Sequence, residues 1–258
     1  MPEPLPISAC LIAKNAAHTL PRCLASLTPL AAEIIVVHNG CTDNTVAIAQ
    51  AAGARTIEKE WLGYREQKNF TASQATMPWI LTIDADEEIS PALAQSIREF
   101  IGSDDNRYVG ASSRRVTWLI NRWIRHGDWY PDTGIRLFRR GQGHWTGGHV
   151  HENLEVTGPL AHLKGDLMHH AFPDFDAFQS RNAHYARIAA QELFDKKKSW
   201  SWKKAILHPI WRFLRGYIFR LGFLDGVPGF LIAWQNAQTV FLRAAYHYDL
   251  TQKPSFKK

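Results

Sequence analysis

Short apolar runs alternate with stretches of helical spacing along the first third of this chain. The apolar runs, which predict buried strands, span residues 7–13, 33–37, 55–57 and 79–83. The stretches with helical spacing span residues 17–27, 45–52 and 65–73. Strands that alternate with helices in this way are typical of a parallel sheet covered by helices. The pattern therefore predicts an α/β fold with a mostly parallel, Rossmann-like sheet flanked by helices.

The rest of the chain has a different character. Residues 107–168 are rich in Trp, Gly, His and Arg and have few clear periods, which indicates strands and loops. From residue 196 onward, basic residues are mixed with aromatic ones, as in amphipathic helices that lie on a membrane, although packing on the rest of the chain is the alternative. Arg220, Asp225 and Pro228 interrupt the apolar stretches, so no run is long enough to cross a bilayer. The predicted organisation is a domain at 1–190, with halves at about 1–105 and 106–190, and a C-terminal amphipathic helical region at 191–258.

Composition narrows the class of protein. The chain has 258 residues, of which 45% are hydrophobic, enough for the core of one large domain. A net charge of +6 favours anionic partners. The basic C-terminal segment lacks a recognisable nucleic-acid motif, so we expect no nucleic-acid partner. Three cysteines without a C-x-x-C pair and an N-terminus without a secretory signal indicate a cytoplasmic protein.

Two carboxylates, Asp84 and Asp86, follow the predicted strand at 79–83. Carboxylate oxygens suit a divalent cation such as Mg²⁺ or Mn²⁺, which leaves its other ligand positions to water and substrate phosphates. The chain has neither a G-x-G-x-x-G fingerprint nor a G-x-x-x-x-G-K-[ST] loop, so a metal ion would have to neutralise a bound diphosphate. The competing interpretation is an acidic approach to a helix that begins at Ser90 and Pro91.

Polar side chains follow three of the predicted strands. Lys14 and Asn15 follow the first, His38 and Asn39 the second, and Asp84 the last. In parallel sheets, ligands bind beyond the carboxyl ends of the strands. We therefore expect these three parts of the chain to meet in one crevice that holds a nucleotide diphosphate.

Several segments carry a family resemblance. In the first half they are Ile12-Ala13-Lys14-Asn15, Val36-Val37-His38-Asn39-Gly40-Cys41-Thr42-Asp43, Gln67-Lys68-Asn69 and Asp84-Ala85-Asp86-Glu87. These segments resemble the successive landmarks of family 2 inverting glycosyltransferases, which have a GT-A fold. Further on they are Trp129-Tyr130-Pro131-Asp132, Arg136-Leu137-Phe138-Arg139-Arg140, Val150-His151-Glu152 and residues 208–226. The later segments resemble a subgroup of lipopolysaccharide-core β-1,4-glucosyltransferases, and the resemblance covers about residues 7–245.

The resemblance implies that the first half of the chain binds a nucleotide sugar and the second half binds the acceptor. The implied nucleotide-sugar contacts are Lys14, Asn15, His38, Asn39, Asp43, Lys68, Asn69 and Asp84. The implied metal ligands are Asp84, Asp86 and His169, although His169 can also be a core histidine. His38 stands where the family usually has an Asp that contacts uracil or ribose, and imidazole lacks the two acceptor oxygens of a carboxylate.

The implied mechanism needs a general base. A sugar that leaves its diphosphate develops positive charge at the anomeric carbon, while the acceptor hydroxyl loses a proton. A carboxylate on the opposite face of the sugar can take that proton, and a single displacement then inverts the configuration. Glu152 is the preferred base, with Asp132 and Asp128 as rivals, and a surface glutamate in a loop is the alternative interpretation of Glu152.

Arginine and tryptophan side chains are the candidates for acceptor contacts. We expect Arg136, ahead of Arg139 and Arg140, to pair with a phosphate, because guanidinium forms a two-bonded fork with phosphate. We expect Trp129 to stack on a sugar ring. A solvated strand edge and core packing are the respective alternatives.

Together these features predict a metal-dependent inverting glycosyltransferase. The expected donor is UDP-glucose, and the expected acceptor is the inner core of lipopolysaccharide. The expected location is the inner face of the cytoplasmic membrane, with peripheral attachment to its surface. The alternatives are another cell-envelope polysaccharide or lipid-linked acceptor, and a non-catalytic nucleotide-sugar-binding module of the same fold.

Overall fold

The computed structural model describes residues 3–103, 105–147 and 152–252, which form two compact units. Unit 1 takes its described residues from Met1–Val116 and Asp132–His170. Unit 2 takes its described residues from Thr117–Pro131 and Ala171–Lys258. The domains predicted at 1–190 and 191–258 stay a prediction.

The first part of unit 1 alternates strands with helices. Its strands are β1 (Leu5–Ala13), β2 (Ala31–His38), β3 (Arg55–Glu58) and β4 (Trp79–Thr82). Its helices are α1 (Leu20–Leu27), α2 (Thr45–Ala51) and α3 (Tyr64–Ser73). The strands pair in parallel in the order β3-β2-β1-β4. Successive side chains of β1 enter opposite cores, with Leu11 in one and Cys10 in the other, so both faces of this sheet are covered. The predicted alternation is confirmed.

The later strands complete the sheet. They are β5 (Glu87–Ile89), β6 (Gly110–Leu119), β7 (Arg122–Ile124), β8 (Asp132–Arg139), β9 (Gly143–Gly147), β10 (Glu152–Val156) and β11 (Leu160–His169). Four of them extend the sheet to the order β3-β2-β1-β4-β8-β6-β11-β5, while β9 and β10 form a separate antiparallel pair. The pairs β4–β8, β6–β8 and β5–β11 are antiparallel.

The α/β fold class is therefore confirmed. The sheet, predicted as mostly parallel, is parallel over β3-β2-β1-β4 and has the antiparallel pairs β4–β8, β6–β8 and β5–β11 beyond it. A parallel connection needs a crossover of a dozen or more residues, usually an α-helix, and no α-helix lies between β6 and β11 in the described part of the chain.

Helix α4 (Pro91–Gly102) begins directly after β5. The Ser90 hydroxyl caps it by accepting a hydrogen bond from the Leu93 N–H at 3.2 Å, and Pro91 occupies its first turn. The helix start predicted at Ser90 and Pro91 is thus present. The acidic segment before it contains a strand, however, so these acids are more than an approach to the helix.

Unit 2 is mainly helical. Its helices are α5 (Phe175–Asp195), α6 (Trp202–Leu214) and α7 (Gly226–Gln252). A π-helical segment, Arg215–Phe219, and a 3₁₀ segment, Gly222–Asp225, connect α6 to α7. The last residues of β6 belong to this unit and pair with β7. Helix α7 packs against α5 and α6, which confirms the predicted C-terminal helical extension.

Many large apolar side chains of α6, α7 and the segments between them are exposed. The most exposed include Trp202, Leu207, Trp211, Phe219, Val227 and Trp234. Within the described ranges, no single helix has the length and apolar content to span a membrane. One pair of helical segments satisfies those criteria only when the two are taken together. The segments are Trp202–Phe219 and Gly222–Gln252, with a bend of 71° between them.

Candidate functional site

Hydrogen bonds tie the loop after β1 to the loop after β2. The Asn15 Oδ1 accepts from the Thr42 N–H at 2.8 Å, and the Asp43 Oδ2 accepts from the Ala17 N–H at 3.0 Å. The Asp43 Oδ1 also accepts from the Thr45 hydroxyl at 2.5 Å, and this bond lowers the pKa of Asp43. Two predicted nucleotide contacts, Asn15 and Asp43, therefore hold the ends of neighbouring strands together.

His38 ends β2 with a buried ring. Its Nδ1 has no hydrogen-bond partner among the described residues, and a buried polar atom without a partner is costly. His38 pairs in the sheet with Ala13, so Lys14 and Asn39 follow directly from paired positions. Lys14 is exposed and Asn39 is half-buried. The expected nucleotide edge thus presents an amine, an amide and an unpaired ring nitrogen.

Lys68 joins the end of β4 to the start of β10. Its ammonium lies 3.3 Å from Asp84 Oδ1 and 3.1 Å from Glu152 Oε1. Only 9% of the Lys68 side chain is exposed, so both ion pairs are largely shielded from solvent. Three residues proposed from the sequence, the preferred base among them, are therefore direct neighbours.

The elements around Lys68 fix its position. Helix α3 carries it, and the ammonium lies over the Trp145 ring, 4.5 Å from the ring centroid. Asn69, the next residue, makes a reciprocal pair with the Trp145 backbone: its amide donates to the Trp145 carbonyl at 2.9 Å and its Oδ1 accepts from the Trp145 N–H at 2.8 Å. Asn69 thus fastens α3 to β9, and its predicted donor contact stays a prediction.

Glu87 is a buried carboxylate that sequence reasoning missed. Its Oε1 accepts from Arg136 at 2.8 Å and from Arg115 at 3.3 Å, and its Oε2 accepts from the Asp84 N–H at 3.0 Å. A signal was available, because Glu87 and Ile89 alternate with Glu88 as the buried residues of β5. From the sequence, Glu87 has only a place in the Asp84–Glu87 segment, with an acidic approach to a helix as the alternative.

Arg136 and Asp132 lie at opposite ends of this network. Arg136 reaches from Glu87 towards Asp84, whose Oδ2 is 3.9 Å from the guanidinium. Asp132, the rival base, accepts from Arg115 at 2.5 Å and is about half exposed. Among the described residues, Asp132 connects to Asp84 through Arg115 and Glu87, whereas Glu152 and Asp84 share the Lys68 cation directly.

Asp84 is held in its ionised form. Burial would raise its pKa, but the charges of Lys68 and Arg136 outweigh burial and lower the pKa of Asp84 to about 2. Asp84 is consequently a carboxylate at neutral pH. A carboxylate already paired with two cations offers less negative charge to a metal ion than an unpaired one.

Asp86 and His169 are the pair most open to a metal ion. The antiparallel pairing of β5 with β11 brings His169 opposite Glu87, and the His169 Nε2 lies 3.5 Å from Asp86 Oδ2. Among the described residues, no group of three or more His, Cys, Asp or Glu side chains is arranged to hold a metal. One carboxylate and one imidazole nevertheless fit Mg²⁺ or Mn²⁺, which take few protein ligands and leave the rest to water and phosphate.

Three other candidates from the sequence have partners of their own. Trp129 lies in unit 2, stacked on Phe172 with ring centroids 5.9 Å apart, and its predicted acceptor contact stays a prediction. Asp128 is also in unit 2 and is surrounded by arginines. Arg139 hydrogen-bonds Asn106 and the Tyr108 carbonyl, which supports the strand-edge interpretation. Val150 and His151, which precede Glu152 in the motif, lie outside the described residues.

Two known proteins are similar to nearly the whole of this chain. The chain is 33% identical over 253 residues to the lipopolysaccharide core biosynthesis glycosyltransferase LpsC of Rhizobium meliloti, covering 95% of this chain and 93% of LpsC. It is 30% identical over 263 residues to an uncharacterized glycosyltransferase of Rickettsia prowazekii, covering 96% and 88%.

Among solved structures, the chain is similar to glucosyl-3-phosphoglycerate synthase from Mycobacterium tuberculosis in complex with Mg²⁺ and UDP. The TM-score is 0.36, the identity is 22%, and the match covers 43% of each chain. A likeness of this size carries no argument about the donor or metal of this chain. The sequence evidence is stronger, because residues 8–155 match the family described as Glycosyl transferase family 2. This match and the near full-length relatives establish that the chain belongs to glycosyltransferase family 2.

Proposed function

We propose that this chain is a metal-dependent inverting hexosyltransferase that acts on the inner core of lipopolysaccharide, with UDP-glucose as its donor. The observation that carries the proposal is the pair of contacts that Lys68 makes with Asp84 and Glu152. They put the acidic residue of the diphosphate site beside a second carboxylate of suitable chemistry for a base. The name of the relative LpsC supports a lipopolysaccharide acceptor.

The residues proposed to surround the diphosphate have different roles. Lys14, Asn39 and the unpaired His38 Nδ1 would bind the nucleotide at the ends of β1 and β2. Asp86 and His169 would hold Mg²⁺ or Mn²⁺, which when bound supplies positive charge beside the leaving diphosphate. Arg136, fixed by Glu87, would donate to a phosphate oxygen.

Glu152 would accept the proton of the acceptor hydroxyl at its carboxylate. The Lys68 ammonium orients that carboxylate from one side, and its second partner, Asp84, keeps the ammonium in place. The deprotonated oxygen would attack the anomeric carbon from the face opposite the diphosphate. One displacement gives inversion of configuration.

We further propose that unit 2 attaches the enzyme peripherally to the inner face of the cytoplasmic membrane. The exposed apolar side chains of α6 and α7 and the basic residues between them support this, because such a surface binds both the acyl boundary and anionic head groups.

A direct assay tests the transferase proposal. Purified protein is incubated with Mn²⁺, a nucleotide sugar and truncated lipopolysaccharide, and the core is analysed by mass spectrometry. Addition of one hexose from UDP-glucose, absent in E152Q, is the expected result. If transfer occurs only from another nucleotide sugar, the proposed donor is wrong. If transfer occurs only to a capsular or lipid-linked acceptor, the proposed acceptor is wrong.

A further inference from the structure

Three arginine side chains surround a buried carboxylate in unit 2. Asp128 lies in the 3₁₀ segment Gly127–Trp129, with 2% of its side chain exposed. Its carboxylate oxygens lie 3.3 Å from Arg212, 3.4 Å from Arg215 and 3.5 Å from Arg220. Arg212 lies near the end of α6, Arg215 begins the π-helical segment and Arg220 directly follows it. The transferase proposal uses none of these arginines.

The charges of this cluster do not balance. Three guanidinium groups face one carboxylate, and among the described residues they have no second carboxylate partner. Asp225, the other buried acid of this region, is already engaged by the backbone N–H groups of Arg125 and His126. Burial lowers the pKa of Arg212, and the neighbouring arginines add to that effect. The cluster therefore keeps a net positive charge of about two, which an anion would neutralise.

The arginines also keep hydrogen-bonding capacity. Charge-assisted hydrogen bonds are usually about 2.7–2.9 Å long, and the contacts with Asp128 are longer. Neither carboxylate oxygen of Asp128 has a hydrogen-bond partner within the described chain. Asp128 thus draws the guanidinium groups together without occupying their N–H groups. Each of the three arginine side chains is between a third and a half exposed.

Close backbone packing supports the cluster. A Cβ on Gly216 would lie 3.2 Å from Asp128 Oδ2, and a Cβ on Gly229 would lie 1.9 Å from the Gly222 carbonyl oxygen. At Gly229 only glycine permits the approach, so the Gly222–Asp225 segment packs directly on α7. The backbone at Gly216, next to Arg215, lies close against the Asp128 carboxylate.

Exposed aromatic side chains lie beside the cluster in the chain. Trp211 precedes Arg212, and Phe219 precedes Arg220. These two rings contact each other, with centroids 5.6 Å apart, although 57% of Trp211 and 67% of Phe219 are exposed. A partner that offers both a phosphate and an apolar body matches this combination of charge and surface.

We propose that Arg212, Arg215 and Arg220 form a binding site for the phosphate of an anionic phospholipid in the bilayer, whose acyl region contacts Trp211 and Phe219. This inference rests on the proposed membrane attachment, and it adds a defined head-group site to what would otherwise be diffuse attraction. The ligand chemistry is a phosphodiester that carries a net negative charge, as in phosphatidylglycerol.

Vesicle binding of the full chain tests the site. Flotation compares phosphatidylcholine vesicles with vesicles that also contain phosphatidylglycerol. We expect the variant R212Q/R215Q/R220Q to lose roughly a hundredfold in affinity for the anionic vesicles, the size expected for three basic groups at an anionic surface. The matched control, K196Q/K197Q/K198Q, removes the same charge from exposed positions outside the cluster; these lysines contribute diffuse attraction only, so we expect a clearly smaller loss, about tenfold or less.

Two further measurements test whether the loss of binding comes from misfolding or from a site of another kind. The single variants R215Q and R220Q leave two guanidinium groups on Asp128, so circular dichroism can verify folding while binding falls. Short-chain phosphatidylglycerol below its micelle concentration should saturate the wild type at one molecule per chain. Equal losses in both triple variants, or binding of phosphorylated lipopolysaccharide but not of phosphatidylglycerol, would overturn the proposal. Hexose transfer is assayed separately. Binding to phosphatidylcholine vesicles tests the proposed membrane attachment, and the additional affinity for phosphatidylglycerol vesicles tests the arginine site. The failure of one proposal can therefore be told apart from the failure of the other.

Discussion

Lys68 and Glu152 form an ion pair at 3.1 Å although 84 residues separate them in the chain. The pair connects α3 to β10, and the same ammonium also contacts Asp84. One cation thus links the proposed diphosphate site to the proposed base. Most tests of the transferase mechanism follow from this connection.

Replacing Lys68 with Met should lower kcat about a hundredfold or more. The variant leaves Asp84 and Glu152 as neighbouring carboxylates without their shared cation, so both the diphosphate site and the base lose their orientation. K68R should retain more activity than K68M. Lys59, whose ammonium lies over the Phe70 ring, provides the control K59M, which should turn over normally. Comparable activity in K68M and K59M would show that the bridge has no catalytic role.

The variant E152Q should lose between about 10²- and 10⁴-fold in kcat, because an amide cannot accept the proton of the acceptor hydroxyl. Donor binding, measured by titration calorimetry with the nucleotide diphosphate, should stay within about threefold of the wild type. D132N is the matched comparison, since Asp132 is paired with Arg115 at the other end of the network. A larger loss in D132N than in E152Q would transfer the role of base to Asp132.

Glu87 should matter first for stability. E87Q leaves Arg115 and Arg136 without their common buried carboxylate, so the free energy of unfolding should fall by about 3–5 kcal/mol. Chemical denaturation measures this loss. Glu88 is the control, because its contacts with Arg22 and His170 are long and partly exposed, and E88Q should change stability by less than about 1 kcal/mol. Similar values for both variants would contradict the role of Glu87 as the buried centre of the network.

Metal removal should abolish transfer, and the loss should be reversible. Treatment with EDTA followed by Mn²⁺ titration gives the concentration for half-maximal activity. D86N and H169A should each raise that concentration about tenfold or more, because each removes one of two ligand side chains. H170Q alters the neighbouring ring and should leave the midpoint unchanged. An unchanged midpoint in D86N would exclude Asp86 as a ligand.

Glu33 gives a pH-dependent stability. Burial raises its pKa, but hydrogen bonds from Ser8, Thr76 and Arg55 outweigh burial and lower it overall. A lowered folded-state pKa stabilises the protein above the unfolded value of about 4.3, and this stabilisation is lost as the pH falls through the folded-state pKa. E33Q should therefore cost about 1–3 kcal/mol at pH 7 and progressively less in acid. A difference between wild type and E33Q that stays constant from pH 7 to acid would contradict this assignment.

The local parts of the fold were predictable. The strands β1 to β4 and the helices between them follow from the periodicity of apolar residues, and Ser90 and Pro91 mark the start of α4. The antiparallel part was not predictable in the same way. The pairing of β11 with β5 joins residues about 80 positions apart, and a pattern of apolar residues does not identify such a partner.

The candidate site likewise has a part that could be predicted from the sequence and a part that could not. Asp84 and Asp86 follow an apolar strand and were identified from their position. Glu87 was missed because its burial depends on the pairing of β5 with β11, and an alternation over three residues is too short to identify that burial from the sequence. The contact of Lys68 with Glu152 likewise depends on the placement of β10 against α3, which motif spacing does not specify.

Strand β11 also sets a minimum length for a working catalytic unit. The family match ends at residue 155, whereas β11 runs from Leu160 to His169 and lies between β6 and β5 in the sheet. A fragment trimmed at the family boundary would leave β5 without its neighbour and would remove His169 altogether. Chimeras that exchange acceptor specificity within this family should therefore place their junction after residue 170.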